Sequence, residues 1–200
     1  MSHYYTEDQN TPSQPKEIEV HFLERVFRLH TDRGVFSRDR LDYGTWVLLH
    51  AVIDEVNEPL LDLGCGYGSV GVIVGAIRKI PVDMSDVNRR ALALAEKNTK
   101  RHCIDANIFY SDGFSENDRL YNSILLNPPI RVGKETVQRL FKESYEHLLP
   151  GGSLYVVIQK KQGLGSAKNF LLTMFKKAET LDRSAGYHVL KLTKEISIDE

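Results

Sequence analysis

Short apolar runs alternate along the chain with segments of helical character. The runs at residues 60–63, 80–86, 107–110, 121–126 and 153–159 predict strands, because apolar segments of this length are typical of strands buried on both faces. Helices are predicted at 42–56, 69–78, 87–95, 134–149 and 166–175. The alternation indicates an α/β fold in which a doubly wound, mostly parallel sheet carries helices on both faces.

A glycine-rich turn follows the first of these strands. Residues 60–68 have the sequence LLDLGCGYG, in which Gly64, Gly66 and Gly68 occupy alternate positions. Glycine leaves the backbone open to a ligand and permits positive φ. The turn therefore predicts a cofactor-binding loop, although nucleotide-binding dehydrogenases have a similar one. Two more glycines, Gly71 and Gly75, are expected to let the next helix approach the strands closely.

Acidic residues lie at the ends of the next two strands. Asp86 closes the strand at 80–86, about 20 residues beyond the glycine turn, where an acid can accept hydrogen bonds from ribose hydroxyls. The same residue is a candidate N-cap of the following helix. Asp83 is the second candidate for the ribose role. Asp112, after the strand at 107–110, could accept from an adenine amino group or be an ordinary turn aspartate.

The strand at 121–126 ends abruptly at Asn127-Pro128-Pro129-Ile130. Proline donates no hydrogen bond and holds the preceding residue outside the α region. We therefore expect the Asn127 side chain and the Pro128 carbonyl to face a cleft as two adjacent acceptors. A planar NH2 group is the guest that such a pair suits.

Together these features resemble the class I S-adenosylmethionine-dependent methyltransferases over nearly the whole chain. Upstream of the glycine turn, residues 34–45 (GVFSRDRLDYGT) are similar to the signature of the small methyltransferase domain of RsmC-like small-subunit rRNA guanine-N2 methyltransferases. The resemblance implies a Rossmann-like fold with a seven-stranded, mostly parallel sheet. It also implies an N-terminal hairpin at 18–22 and 25–30 and a C-terminal antiparallel hairpin at 179–182 and 188–192.

The resemblance further implies S-adenosylmethionine as cofactor and methylation of the exocyclic N2 amine of a guanine in small-subunit rRNA. The cofactor-binding positions it implies are Asp62, Gly64, Cys65, Gly66, Gly68, Asp86, Val87, Asp112, Gly113, Phe114, Asn127, Phe36 and Thr45. The predicted catalytic residues are Asn127, Pro128, Pro129 and Ile130. Methylation of a release-factor glutamine or of adenine N6 is the alternative, but relatives with those activities more often have tyrosine where this chain has Ile130.

The charge balance does not by itself indicate a nucleic-acid-binding protein. The formal net charge is −1, whereas such proteins are usually basic. Two local groups of cations, within 25–40 and at Lys160, Lys161 and Lys168, partly offset this. From these groups and the proline loop we predict five RNA contacts, the alternative being a solvated basic surface: Arg38, Arg40, Ile130, Lys160 and Lys161.

Length and composition set the remaining expectations. The 200 residues, 42% of them hydrophobic, predict one methyltransferase domain at 17–200 after a weakly ordered lead-in at 1–16. Within that domain, 17–45 would form the hairpin and a segment covering cofactor or substrate. The absence of a long apolar run or signal-peptide pattern predicts a cytoplasmic protein without membrane contact. The two cysteines suggest no disulfide framework, no metal site is expected, and monomer and homodimer stay open.

Overall fold

The structure is a computed structural model that describes residues 11–196. Within this range nine strands and five helices follow one another along the chain. The strands are β1 (Lys16–Phe22), β2 (Arg25–Thr31), β3 (Leu60–Leu63), β4 (Val82–Asp86), β5 (Ala106–Tyr110), β6 (Tyr121–Leu126), β7 (Leu148–Gln159), β8 (Glu179–Ser184) and β9 (Tyr187–Thr193). The helices are α1 (Tyr43–Val52), α2 (Ser69–Arg78), α3 (Arg89–Arg101), α4 (Lys134–Glu146) and α5 (Leu164–Leu171).

Seven strands form one mixed sheet in the order β5-β4-β3-β6-β7-β9-β8, and β1 and β2 form a separate antiparallel pair. The pairs β4–β5 and β6–β7 are parallel, whereas β9 is antiparallel to both β7 and β8. This arrangement confirms the predicted seven-stranded sheet with a C-terminal antiparallel hairpin. The strand order reverses direction after β3, as it does in doubly wound folds.

The chain forms two compact units. The first contains residues 11–43 and Asp62–Glu116, with the β1–β2 pair, α2, β4, α3 and β5. A Cβ at Gly71 would overlap the Met84 side chain of β4, and one at Gly75 would meet Ile104 at 2.7 Å. α2 therefore packs closely against Met84 and Val82 of β4 at these two glycines, which confirms the predicted close approach of this helix.

The second unit contains Gly44–Leu61 and residues 117–196, with α1, β6, α4, β7, α5, β8 and β9. Its core is built from the central strands, in which Ile124, Leu125 and Val156 are fully buried, and from the inner face of α1, where Val47 and Leu49 are buried. Burial of this apolar area is the main source of stability.

Several predicted boundaries were wrong at helix ends. α1 ends at Val52 rather than at 56, with a turn after it, and α5 covers Leu164–Leu171 rather than 166–175. α3 begins at Arg89 and continues to Arg101, so the predicted helix at 87–95 is shifted and extended. Apolar residues remain buried in the turns that follow the helices, as Val56 and Phe175 show. The hydrophobic pattern therefore continues past the point where the helix ends.

The predicted end of the helix at 134–149 and start of the strand at 153–159 were also wrong. α4 ends at Glu146, and β7 already begins at Leu148 and includes Pro150, Gly151 and Gly152. β7 pairs Leu148 with Tyr121 and then Ser153 with Ser123, so the intervening residues bulge out of the register with β6. Proline and glycine are tolerated at such a bulge.

The predicted lead-in at 1–16 lies partly outside the described residues. Within the described part, Ser13 Oγ and the Gln14 N–H donate to the Asp32 carboxylate at 2.6 and 2.5 Å, and β1 begins at Lys16. The single domain at 17–200 stays a prediction. In the part of the chain that the structure describes, no helix is both long and apolar enough to span a bilayer.

Candidate active site

The glycine turn is fastened to the end of β4 through its own backbone. The N–H groups of Gly64 and Cys65 both donate to the Ser85 carbonyl, at 2.8 and 2.9 Å. Gly64 and Gly66 have φ of 71° and 56°, and a Cβ built on either would meet nothing within 4 Å. The turn is therefore a cradle with open space beside its backbone, which is what close approach of a ligand requires.

Asp62 accepts a hydrogen bond from the start of α2, directly after this turn, and its predicted role in cofactor binding stays a prediction. It is buried in β3, and its Oδ2 accepts from the Gly71 N–H at 2.9 Å. Gly71 lies in the first turn of α2, whose N–H groups have no partner within the helix, and the N-cap Gly68 has no side chain to offer. Burial raises the pKa of Asp62 to about 7, against the lowering effect of the Gly71 N–H.

Asp86 is the last residue of β4, as predicted, and it is partly buried. Its two oxygens accept from the Gly66 N–H and the Asn88 N–H, both at 2.8 Å. Burial raises the pKa of Asp86, while these N–H groups oppose the rise. Its ribose role stays a prediction. Asp83, the second candidate, is buried within the strand.

The predicted N-cap role of Asp86 is wrong. Asn88 occupies the N-cap of α3, where its side chain accepts from the Ala91 N–H at 3.1 Å. Its amide also donates to the Gly34 carbonyl at 3.0 Å. Asn88 thus joins the helix start to the segment upstream of the glycine turn, a role that sequence reasoning missed.

The other predicted cofactor-binding residues of the first unit lie in the glycine turn, directly after β4 and directly after β5. Cys65 and Val87 are buried, and burial raises the pKa of the Cys65 thiol, consistent with a space-filling role. After β5, Asp112 is exposed and Phe114 is buried, with Gly113 between them at φ 63°. The Ser111 N–H donates to the Asp86 carbonyl at 3.2 Å, so the ends of β4 and β5 are held together.

The segment after β2, which carries Phe36, is anchored within the first unit. Arg90 donates to the Arg33 carbonyl at 2.6 Å, and Thr31 Oγ1 donates to the Arg38 carbonyl at 2.8 Å. Phe36 itself is exposed. These hydrogen bonds hold the segment in place within the first unit, and its predicted role in covering cofactor or substrate stays a prediction.

A buried asparagine on α3 ties three backbone groups together. Asn98 Oδ1 accepts from the His30 N–H at 2.7 Å, and its Nδ2 donates to the carbonyls of His30 and Tyr67 at 3.0 and 2.8 Å. Its side chain is fully buried. The hairpin and the glycine turn are thus linked through one residue, and no sequence pattern marked it.

In the second unit the Asn-Pro-Pro loop follows β6. Pro128 and Pro129 are buried, whereas Asn127 and Ile130 are partly exposed. The Pro128 carbonyl accepts from the Ile130 N–H at 2.8 Å around Pro129, whose φ of −76° and ψ of 73° define an inverse γ-turn. The expected vacant acceptor at Pro128 therefore already has one partner, and one lone pair remains for another.

Asn127 is held by Thr45, on the first turn of α1. Asn127 Nδ2 donates to Thr45 Oγ1 at 3.0 Å, and Thr45 is buried. Thr45 was predicted to bind the cofactor, and that role stays a prediction. This contact orients the amide, with its Nδ2 toward the first turn of α1.

The predicted RNA contacts differ in their surroundings. Arg38 Nη2 donates to the Gln14 carbonyl at 3.0 Å, and its Nε is buried without a hydrogen-bond partner among the described residues. Arg40, Lys160 and Lys161 are exposed. Arg38 is therefore partly used within the protein, and all five predicted RNA contacts, Ile130 included, stay predictions.

Strand order, glycine turn and acid-ended strands together define a Rossmann-like α/β fold built to hold a nucleotide-containing cofactor. The profile of the family described as "Methyltransferase small domain" matches residues 26–191. The chain therefore belongs to the methyltransferase small domain family, and the predicted enzyme class is confirmed.

Individual relatives agree with this assignment. The chain is 36% identical over 197 residues to the uncharacterized protein YbxB of Bacillus subtilis (strain 168), an alignment covering 96% of this chain and 98% of that protein. It is 37% identical over 130 residues to ribosomal RNA small subunit methyltransferase C of Mannheimia succiniciproducens, covering 62% of this chain and 39% of that protein. The chain thus spans well under half of the length of this second relative.

A solved structure shows the same fold. It is the T. thermophilus 16S rRNA N2 G1207 methyltransferase (RsmC) in complex with AdoMet and guanosine, with a TM-score of 0.81 and 23% identity. The similarity covers 92% of this chain and 52% of that one. The predicted resemblance to RsmC-like proteins is confirmed.

Proposed function

We propose that this protein is an S-adenosylmethionine-dependent methyltransferase that modifies the exocyclic N2 amine of a guanine in small-subunit rRNA. The names of its relatives support this substrate, as does the AdoMet and guanosine complex of the RsmC structure. With a ribosomal substrate, its site of action would be the cytoplasm. The observation that carries the proposal is the hydrogen bond from Asn127 Nδ2 to Thr45 Oγ1 at 3.0 Å, which orients the amide that follows β6.

The first unit supplies the groups that would hold the cofactor. The open space at Gly64 and Gly66 admits a ligand against the backbone, and Asp86 offers carboxylate lone pairs beside that space. Each carboxylate oxygen can accept more than one hydrogen bond, so the bonds from Gly66 and Asn88 leave capacity for ribose hydroxyls. When bound, S-adenosylmethionine supplies an electrophilic methyl group on a sulfonium.

The second unit supplies the groups that would hold the acceptor amine. Asn127 Oδ1 and the second lone pair of the Pro128 carbonyl can each accept one N–H of an NH2 group. The lone pair of an aryl amine is delocalised into its ring. Two such hydrogen bonds favour pyramidalisation of the nitrogen and stabilise the positive charge that develops on it.

The remaining steps need little from the protein. Fixing the amine in line with the methyl–sulfonium bond removes much of the entropic barrier, up to about 7–11 kcal/mol in ideal cases. No covalent nucleophile is required, and the proton can leave to solvent after transfer. Ile130, which is partly exposed, offers an apolar contact to the base.

The test is single-turnover transfer of a labelled methyl group at saturating cofactor. Three acceptors are compared in parallel: unmodified small ribosomal subunits, naked small-subunit rRNA and a release factor. Labelled N2-methylguanine in the RNA is the expected product. Labelled glutamine in the release factor, or labelled N6-methyladenine, would replace the proposal with one of the two alternatives, since the same two acceptors can bind the NH2 group of a glutamine amide or of adenine.

Asn127 variants test the acceptor pair itself. Asn127→Ala should lower the rate by about two to three orders of magnitude with cofactor affinity retained. Asn127→Asp keeps an acceptor and should retain part of the activity. Asn107→Ala, at an exposed asparagine on β5, is the matched control and should be unchanged. If Asn127→Ala transfers the methyl group at the wild-type rate, Asn127 only shapes the turn and the proposal loses its basis.

A further inference from the structure

A cluster of cations in the second unit lies where β7 ends and the β8–β9 hairpin turns. Arg183 and His188 are direct cross-strand partners, so their side chains leave the hairpin on the same face. The Lys160 N–H donates to the Gly186 carbonyl at 2.7 Å, which holds the residue after β7 against the hairpin turn. Lys168 on α5 lies within electrostatic reach of His188.

These side chains are accessible. Lys160 and Arg183 are exposed, and Lys168 and His188 are partly exposed. Among the residues that the structure describes, neither lysine nor Arg183 forms an ion pair. The neighbouring acid, Asp182, accepts from the Arg183 backbone N–H, and its charge acts on His50. The cluster is therefore a concentration of positive charge on a chain whose net charge is −1.

Register places this cluster at the same edge of the sheet as Asn127. Leu126, the last residue of β6, pairs with Val156, and His188 pairs with Ile158 two residues further along β7. Neighbouring strands lie about 4.8 Å apart, so β9 is about 10 Å and β8 about 14 Å from β6. A nucleic-acid strand with one base at Asn127 would reach the cluster within a few nucleotides.

We propose that this cluster binds the backbone phosphates of the RNA nucleotides that flank the target base. We call it the hairpin basic surface, and it consists of Lys160, Lys168, Arg183 and His188. The inference rests on the proposed function. To the proposed function it adds a second point of contact with the substrate, on the hairpin, and a linkage between RNA binding and protonation of His188.

The protonation linkage follows from the surroundings of His188. Burial lowers the pKa of this imidazole, and the charges of Arg183 on β8, Lys160 after β7 and Lys168 on α5 lower it further. A phosphate among these cations offsets their charge and favours the protonated ring, which donates from both nitrogens. RNA binding should therefore take up a proton, and affinity should rise as the pH falls from 7.5 to 5.5.

Fluorescence anisotropy measures how tightly the full chain binds a short, labelled single-stranded RNA that contains one guanosine, at several salt concentrations and pH values. The triple variant Lys160→Gln, Lys168→Gln, Arg183→Gln should bind this RNA roughly tenfold more weakly. The slope of the logarithm of its binding constant against the logarithm of the salt concentration should be smaller in magnitude by about 2, since each contact with a single-strand phosphate contributes about 0.7. His188→Gln should lose the strengthening at low pH. Lys177→Gln, an exposed lysine beyond the opposite end of β8, is the matched control and should match the wild type.

The outcomes separate this inference from the proposed function. Unchanged affinity, salt slope and pH dependence in the variants, with methylation of RNA by the wild type, overturn the hairpin basic surface alone. If the variants lose RNA binding but the wild type does not methylate RNA, the hairpin basic surface is supported and the proposed reaction is overturned. A wild type that binds no RNA and methylates a release factor overturns both. Circular dichroism of each variant shows whether a loss reflects unfolding.

Discussion

Thr45 and Asn127 are joined side chain to side chain at 3.0 Å, although 82 residues separate them in the sequence. In the sequence Thr45 precedes the glycine turn, but its hydroxyl contacts the Asn127 amide directly after β6. A buried hydroxyl in this position sets which end of the Asn127 amide can accept. The positioning of the proposed catalytic amide is therefore a property of α1 as much as of the Asn-Pro-Pro loop.

Removing the Thr45 hydroxyl should lower the rate of methyl transfer, through a misplaced Asn127 amide, without lowering the affinity for S-adenosylmethionine. Thr45→Val retains the side-chain shape but leaves Asn127 Nδ2 without this acceptor. The methyl-transfer rate should fall by up to about 100-fold, the scale expected for a misplaced reacting group. Single-turnover kinetics at saturating substrates measure it, with calorimetric titration of S-adenosylmethionine alongside. Thr45→Ser, which keeps the hydroxyl, should be close to wild type. A loss of cofactor affinity with an unchanged rate would return Thr45 to the cofactor role.

Asp86 is expected to serve both the ribose and the glycine turn. In Asp86→Asn one of the two carboxylate oxygens becomes an NH2 group facing a backbone N–H, at Gly66 or at Asn88. Cofactor affinity should fall by roughly 1.5–3 kcal/mol, the usual value of hydrogen bonds to a charged group. Calorimetry measures the affinity and chemical denaturation the free energy of unfolding. Lower stability with unchanged affinity would confine Asp86 to holding the turn.

The sequence predicted where the candidate residues lie relative to the strands but not the contacts among them. Asn127 and the glycine turn directly follow strands and Asp86 is the last residue of one, and strand ends are marked by apolar runs that stop at glycine or proline. The Thr45–Asn127 and Asn98–Tyr67 contacts join residues 82 and 31 positions apart. No local pattern encodes such pairs, because each depends on how distant elements pack.

The missed strand residues at 148–152 have a similar cause. Pro150-Gly151-Gly152 has the composition of a turn, yet Gly151 N–H donates to the Lys194 carbonyl and Lys194 N–H to the Gly152 carbonyl. A Cβ at Gly152 would lie 2.8 Å from the Tyr121 carbonyl, so glycine is needed for close approach rather than for a turn. Composition alone does not distinguish these two uses of glycine.

Asp62 should make stability depend on pH in an unusual direction. Its pKa is raised to about 7 by burial, from 3.8. Between those two values the folded protein keeps a proton that the unfolded chain has lost, so this residue's contribution to the free energy of unfolding falls as the pH rises from 4 to 7. The size of the fall is about 4 kcal/mol.

Asp62→Asn provides the comparison, because its side-chain oxygen can still accept from the Gly71 N–H but never ionises. The quantity to measure is the difference in free energy of unfolding between wild type and variant, by urea denaturation from pH 4 to pH 8. The difference should shift in favour of the variant as the pH rises and level off above about 8. A difference independent of pH would show that Asp62 ionises in the folded state as readily as in the unfolded chain.

Replacing Asn98 on α3 should lower both the free energy of unfolding and the cofactor affinity. In Asn98→Leu the His30 N–H and the carbonyls of His30 and Tyr67 all lose a buried partner. Since each buried, unsatisfied polar group costs about 1–3 kcal/mol, we expect the free energy of unfolding to fall by roughly 3–5 kcal/mol. Because Tyr67 lies within the glycine turn, cofactor affinity should fall as well, in protein that is still folded at low temperature.

Urea denaturation measures the free energy of unfolding, and calorimetry measures the cofactor affinity, both at about 10 °C, which is close to the usual temperature of maximum stability. Asn107→Ala, an exposed asparagine, should change neither quantity. A destabilised Asn98→Leu protein that binds the cofactor normally would show that the Asn98 contact holds the hairpin but does not shape the turn.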